Sequence, residues 1–563
     1  MISALHDGEP VPGFWPWRYR KLFRSADDDL ALILVHSSSS AGAEDSRFGL
    51  LVLTSNLGDL LRRRALRNPG TEAVVDLAAG KRADYQTLNE RVNRVANALL
   101  EKGVRPGDRV GLLAATCIEF VETYYASAKI GAVSVLMNWR LVPDELEYLL
   151  IDSGAAALVF SAEFDVSASE LHARGSTSVT TWIRIDDAAV ATEWGAFHYS
   201  NLVESASPDE PPIGASGDDL LCLCYSSGTT GRPKGAMLTH EGQLFAVLTQ
   251  AASIDGFHQR DRYLIALPLF HLGGILPLEN AMYGGSTVVL MRQFDPSAIW
   301  DVIARERVDS GLVVPSMLNA MLTVFNPSKH DCSSIKALSV AAAPVPVTLL
   351  EQCREKGIAL LQTYGLTEAG GPGTNLSSEY AELKIGSAGK AYMLTDVMVA
   401  RPDGSPCDPG EPGEVLIRGR HVMKGYWNNP EATAQTIVDG WLHTGDVAVW
   451  DAEGFVTIQD RIKDMIISGG ENIYPAEIEN VILSHPDVVE VAVIAQKSPR
   501  WGESPLACVV RSHERLTEAE VLNWCDGKLA RFKLPKEVRF VDAIPRNPTG
   551  KALKRILRDQ FGG

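Results

Sequence analysis

No apolar run in this sequence is long enough to cross a bilayer, and its opening "MISALHDGEP" has neither the basic start nor the apolar core of a secretion signal. A soluble protein is expected. Cysteine is sparse, with eight residues scattered over 563 positions. The closest pair, Cys222 and Cys224, falls on one face of an expected buried strand, and a reduced cytosolic setting fits. Basic residues are outnumbered: 53 Lys plus Arg against 70 Asp plus Glu leave a net charge of −17. That balance argues against a general nucleic-acid or anionic-membrane binder, a local basic patch aside. Internal repeats and low-complexity arrays are absent from the part that reads as folded.

A composition 45% hydrophobic and 22% charged is that of a globular protein, and the length exceeds what one core can organise. Residues 1–54 follow no regular pattern. Their "GFWPWRYRKLFR" mixes aromatic and basic side chains in a way that suits a membrane interface or a partner, against the plainer reading of an unpacked extension. From Asn56 the pattern alternates. "YQTLNERVNRVANALLEKG" places Leu88, Val92, Ala96 and Leu99 at helical spacing, and "RVGLLAA", "GAVSVLMN" and "AALVF" read as buried strands. This predicts a large multi-layered α/β domain over 55–460. After Arg461 the units shorten to a small α+β domain over 461–563, joined through "DRIKDMIISGGENIYP", whose charges and glycines read as a hinge over a ligand.

The chemistry gathers first in "YSSGTTGRPKG", residues 225–235, directly behind the apolar "LLCLCY". Glycines let backbone N–H groups approach a ligand, while hydroxyls and an ammonium suit phosphate oxygens. A Walker A loop would end in Gly-Lys-Ser/Thr and open a helix. Here Pro233 precedes Lys234, Gly235 follows it, and "AMLTH" reads as a strand. The loop is therefore expected to cradle phosphates without a helix dipole.

Four further motifs follow in order: "QTYGLTE", "GWLHTGD", "DRIKDMIISGGENIYPAEIE" and "PRNPTGK". With the phosphate loop they make the chain from about Asn56 onward resemble the adenylate-forming superfamily of acyl-CoA synthetases, luciferases and peptide-synthetase adenylation domains. The tail "LARFKLPKEVRFVDAIPRNPTGK" is most similar to actinobacterial long- and very-long-chain fatty-acid:CoA ligases. The resemblance implies ATP, Mg2+ and coenzyme A as cofactor and co-substrates, and a small-molecule carboxylic acid as substrate.

It also implies roles. Ser226, Ser227, Gly228, Thr229, Thr230, Gly231 and Lys234 would hold the β- and γ-phosphates. Glu368 would be the Mg2+ carboxylate, Thr367 an α-phosphate contact, and Tyr364 with Gly365 a face for adenine. Asp446 would take the ribose hydroxyls, assisted by Arg461. Ala343 and Pro344 close "SVAAAP", where the superfamily usually shows a Gly-Gly-Ala-Pro strand end and this chain has Ala341 and Ala342 in place of the glycines. His271 in "LPLFHLGG" would gate or orient between the carboxylate and the thiol channel, against the reading of an ordinary core histidine. Lys551 would bridge carboxylate and α-phosphate, Gly469, Gly470 and Glu471 would receive the pantetheine arm, and Lys463 would be the pivot of a rotating small domain. Parts of "FHLGGILPL" and "VPSMLNAML" would wall the acyl site or serve as ordinary core. The expected acid is a medium- to very-long-chain fatty acid, with an aryl or alicyclic acid as the alternative. Free CoA is expected as acceptor over a carrier protein, and oligomeric state is left open.

Overall fold

In the computed structural model Leu88, Val92, Ala96 and Leu99 lie buried along one face of the helix Tyr85–Glu101. Asp84 caps that helix by accepting from the Thr87 N–H. The structure describes residues 55–186, 194–226, 233–254, 257–342, 345–468, 471–546 and 551–562, together with 18–19 and 35–36. Residues Met1–Thr54 form one unit and Ser55–Gly563 another. In the first, Arg18–Tyr19 pairs antiparallel with Val35–His36.

Two large sheets carry the second unit. Among the described residues one has seven strands. Its inner strands Arg109–Leu113, Val133–Leu136, Ala157–Ser161 and Leu220–Ser226 run parallel, and Lys234–Thr239 turns back antiparallel at the edge. The other has nine strands, parallel through Glu72–Asp76, Thr287–Leu290, Arg262–Ile265, Ser310–Val313, Ala337–Val340 and Leu360–Tyr364. Such near-continuous apolar strands need cover on both faces. Helices Tyr85–Glu101 and Ile118–Ile130 supply part of it, with Tyr85, Phe120, Tyr124 and Tyr125 fully buried.

A third, antiparallel sheet follows, built on Gly413–Arg418 and Trp441–Trp450, to which Val456–Arg461 pairs. The small domain then gathers Ile466, Ile478, Ile482, Val493, Val509 and Val521 into a core of its own. Its long pair Val488–Ser498 and Gly502–Arg511 carries the helices Pro475–Leu483 and Glu518–Cys525. Thr517 and Glu520 form a reciprocal cap at the second helix. Strand ends from three sheets, plus a lysine of the small domain, supply the site.

Candidate active site

Leu220–Ser226 and Lys234–Thr239 pair antiparallel, Ser226 with Lys234 and Tyr225 with Gly235, so the segment "YSSGTTGRPKG" joins two paired strands at the sheet edge. Lys234 opens a strand and no helix begins there, as the sequence implies. Ser227, Gly228, Thr229, Thr230 and Gly231 lie outside the described residues, as do Ala343, Pro344, Gly469 and Gly470.

Both flanks of that loop are tied to the helix Pro143–Ser153. The Tyr225 hydroxyl donates to Asp152 Oδ2 at 2.7 Å, and the Tyr148 hydroxyl donates to the Pro233 carbonyl at 3.2 Å. Gly235 lets the Tyr225 ring pack close to the backbone, since an added Cβ would stand 3.1 Å from it. A second segment borders the returning strand: Trp427 N–H donates to the Gly235 carbonyl at 2.7 Å and Met237 N–H to the Gly425 carbonyl at 2.9 Å. Trp427 Nε1 also donates to the Asp152 carbonyl at 2.9 Å.

Glu368 follows the strand Leu360–Tyr364, on the short turn Thr367–Ala369. The chain reaches that turn through Gly365, where an added Cβ would lie 1.6 Å from the Gly371 carbonyl oxygen, so only glycine fits. Glu368 Oε1 accepts from the Tyr426 hydroxyl at 2.9 Å. The Lys234 ammonium stands 5.1 Å from the Tyr426 ring centroid. Thr367 hydrogen-bonds the buried Cys224, whose thiol is pushed up to about 12 by burial and by the Glu368 charge, which removes it as a nucleophile. Among the described residues no group of three or more His, Cys, Asp or Glu is arranged to hold a metal by itself. A single carboxylate with an uncommitted second oxygen fits a hard cation that arrives on phosphate oxygens.

Asp446 sits buried in the strand Trp441–Trp450, opposite Arg461 in the adjoining strand. Its Oδ2 accepts from the Tyr364 hydroxyl at 2.8 Å and its Oδ1 faces Arg461 Nε at 3.2 Å. Burial and the Asp446 charge hold the Tyr364 phenol far above its ordinary range, so it remains a donor. A carboxylate offers about four acceptor sites, which leaves room on Asp446 for sugar hydroxyls.

Lys551 comes into the same place from the small domain. Burial and then the Arg461 charge push its ammonium down to about 8, against the opposing pull of Asp446 and Glu368. His271 precedes the helix Leu272–Gly284, its ring 4.4 Å from that of Phe270. Burial, then the charges of Arg140 and Lys551, push it down to about 3, so it is neutral at any working pH. Its Nε2 is buried and has no hydrogen-bond partner among the described residues. Lys463, in the turn after Val456–Arg461, is pushed down to about 8 by burial and by Arg461. That turn is fastened to the C-terminal helix Lys554–Phe561 by Arg558 to Asp464 at 2.7 Å. Glu471 is exposed, at the start of the strand Glu471–Ile473.

Thus Glu368 and Lys234 meet through Tyr426, Tyr364 and Arg461 meet at Asp446, and the Lys551 ammonium lies where the charges of Arg461, Asp446 and Glu368 act on it and its own acts on His271. The two candidate acyl walls do not lie together. Leu272 and Leu276 reach toward Gly371 beside the Glu368 turn, whereas Met317, Leu318 and Met321 pack with Trp300 and Ile303 in another apolar cluster. Ala342, which replaces a glycine, holds φ +73°. The backbone therefore keeps a left-handed turn there, at a strain of roughly 1–2 kcal/mol for a residue with a Cβ. Asp152 and Tyr426 escape sequence reasoning: Asp152 looks like any polar residue ending a helix, and only the aromatic pair in "GYW" hints at the second.

The model of the family described as AMP-binding enzyme matches residues 61–427, and that of its C-terminal domain matches 477–551. The chain belongs to the AMP-binding enzyme family. Relatives of this AMP-binding enzyme include a long-chain-fatty-acid–CoA ligase of Mycobacterium tuberculosis, 42% identical over 90% of this chain and 98% of the relative. A feruloyl-CoA synthase of Amycolatopsis is 41% identical over 90% of this chain and 99% of its own. Among solved structures, the o-succinylbenzoate coenzyme A synthetase of Bacillus subtilis in complex with ATP and magnesium ion is similar with TM-score 0.78 and 34% identity, covering 89% of this chain and 99% of that one.

Proposed function

We propose that this AMP-binding enzyme is an acid:CoA ligase that uses ATP and Mg2+. The observation that supports the reading is that Lys234, Glu368, Asp446, Arg461 and Lys551, drawn from five separate segments, are linked to one another by contact or by charge. The substrate carboxylate oxygen attacks the α-phosphorus of ATP, the bond to the β-phosphate breaks, and acyl-AMP and pyrophosphate result. The thiol sulfur of CoA then attacks the acyl carbon, its proton is lost, and AMP leaves with the bonding electrons.

Both reactants of the first step are anions, so the site's work is to hold charge that would repel. Lys234 and the loop 226–231 take the β- and γ-phosphates. Glu368 would hold Mg2+, which when bound offsets part of the triphosphate charge. Asp446 and Arg461 fix the ribose, Tyr364 and Gly365 border the adenine with Ala343 and Pro344, and Thr367 reaches the α-phosphate. Lys551 bridges carboxylate and α-phosphate, while neutral His271 orients the carboxylate by a hydrogen bond from its imidazole.

The small domain, from Arg461, then swings about Lys463 and exchanges Lys551 for Gly469, Gly470 and Glu471. Residues 1–54 are a contact with a membrane surface or an extension without catalytic part. Among the described residues no helix is long and apolar enough to cross a bilayer.

Fatty acids are the first substrate class and aryl acids the second, since relatives of both kinds share 42% and 41% identity with this chain. The test is a panel of fatty and aryl acids with ATP and CoA, read as pyrophosphate release and as thioester mass. Turnover of one class at least tenfold above the other decides the acid. Pyrophosphate release that no acid stimulates would overturn the ligase reading.

A further inference from the structure

Tyr426 is held more firmly than a side chain filling space would need to be. It is 8% exposed, and its backbone bridges antiparallel to Ala236 in the strand that Lys234 opens. Its N–H donates to Thr433 Oγ1 at 2.9 Å. The preceding Gly425 has φ +142°, and an added Cβ there would meet Thr433 at 2.6 Å, so the turn that delivers Tyr426 admits only glycine. On the other side, Met423 N–H donates to the Glu368 carbonyl at 2.9 Å. The segment Met423–Trp427 therefore clamps two chains at once: the strand of the phosphate lysine and the turn of the metal carboxylate.

From this clamp a single side chain reaches both functional groups. The hydroxyl donates to Glu368 Oε1 at 2.9 Å, and the ring face lies 5.1 Å from the Lys234 ammonium. Without the phenol, Glu368 could swing about its side-chain bonds or reach across to Lys234, and would neutralise the cation meant for phosphate. Tyr426 offers each charge a partner of its own, its face to the cation and its O–H to the anion.

We propose that Tyr426 is the positioning residue that couples the metal carboxylate to the phosphate lysine: it fixes Glu368 through Oε1, leaves Oε2 for Mg2+, and offers Lys234 its ring face. The inference rests on the reading of Glu368 as the Mg2+ carboxylate given above.

Binding of ATP measured calorimetrically across a range of Mg2+, with no acid present so that nothing turns over, tests it in the full chain. In Tyr426→Phe the ring stays and the O–H goes. The Mg2+ concentration at half-maximal tightening should rise roughly tenfold, the scale of one lost hydrogen bond to a charged group. Affinity for ATP without Mg2+ should stay within about twofold, because the Lys234 side is untouched. Glu368→Gln should abolish the Mg2+ dependence, and the double variant should be no worse than Glu368→Gln alone. A purely structural role for Tyr426 would weaken metal-free binding as much as metal-dependent binding, which overturns the proposal. Wild-type Mg2+ dependence in Tyr426→Phe beside an impaired Glu368→Gln also overturns it and leaves the reading of Glu368 standing. Wild-type dependence in Glu368→Gln defeats that reading, and this proposal with it.

Discussion

The Asp446 corner and the His271 corner of the site are built on opposite plans. Asp446 is a buried anion whose oxygens already meet a phenol and a guanidinium, so its charge is balanced before any ligand arrives. Around His271 the charges that act on the imidazole, Arg140 and Lys551, are both positive, and burial adds to their effect. The first corner is finished and can serve as a fixed seat. The second sets two cationic side chains about a neutral imidazole, a surrounding that attracts a carboxylate. A nucleotide needs a seat that does not change, whereas the acid must be drawn in, reacted and released as a neutral thioester.

The largest way to break the contrast is to remove one of the two cations of the second corner. Lys551→Ala should slow pyrophosphate release about 10²–10³-fold, the scale of losing one preorganised partner of a developing charge. Asp446→Asn keeps an acceptor for Tyr364 but leaves Arg461 without its carboxylate. That variant should weaken ATP binding roughly tenfold, read as KM for ATP, while KM for the acid holds. An equal loss for the two substrates would erase the distinction between the corners.

Acidity sharpens it further. Lys551 is a cation only below its folded value of about 8, lowered from 10.5. The kcat/KM for ATP in the adenylation step, which reports the free enzyme, should therefore fall as pH rises through about 8. Lys551→Arg should shift that limb upward, since a guanidinium keeps its proton.

A further effect concerns stability. The His271 imidazole is lowered from 6.5 to about 3 on folding, so below pH 6.5 the unfolded chain takes a proton that the folded chain refuses. The contribution is intact above 6.5 and is lost as pH falls toward 3. In His271→Asn the loss between neutral pH and pH 5 should be smaller by about 2 kcal/mol, measured by denaturant midpoints.

The two corners were also unequally legible in the sequence. The helix Tyr85–Glu101 follows from periodicity, because it buries one face along its length, and the strand before Lys234 and the strand Gly502–Arg511 follow from unbroken apolar runs that are buried on both faces. Lys234, Glu368 and Asp446 stand in motifs whose residue types state their chemistry. What holds those residues does not. Asp152 meets Tyr225 across 73 positions and Trp427 across 275, and no local pattern marks either end. The apolar runs around Ile275 and Met317 look alike in sequence, yet they enter different clusters, because composition does not say which face of a sheet a helix will cover. Lys551 was readable as a residue type, but its nearness to Asp446 and Glu368 depends on where the small domain lies.

That placement is the centre of the account, in which one cleft serves two half-reactions through two positions of the small domain. The most direct test compares Lys551→Ala and Lys463→Pro in the consumption of synthetic acyl-AMP with CoA, beside pyrophosphate release by the same preparations. Lys551→Ala should consume acyl-AMP at a near-normal rate while failing to make it. Lys463→Pro, with φ fixed at the joint, should make acyl-AMP and consume it slowly. Equal loss of both half-reactions in both variants, with circular dichroism showing the small domain folded, would contradict the account.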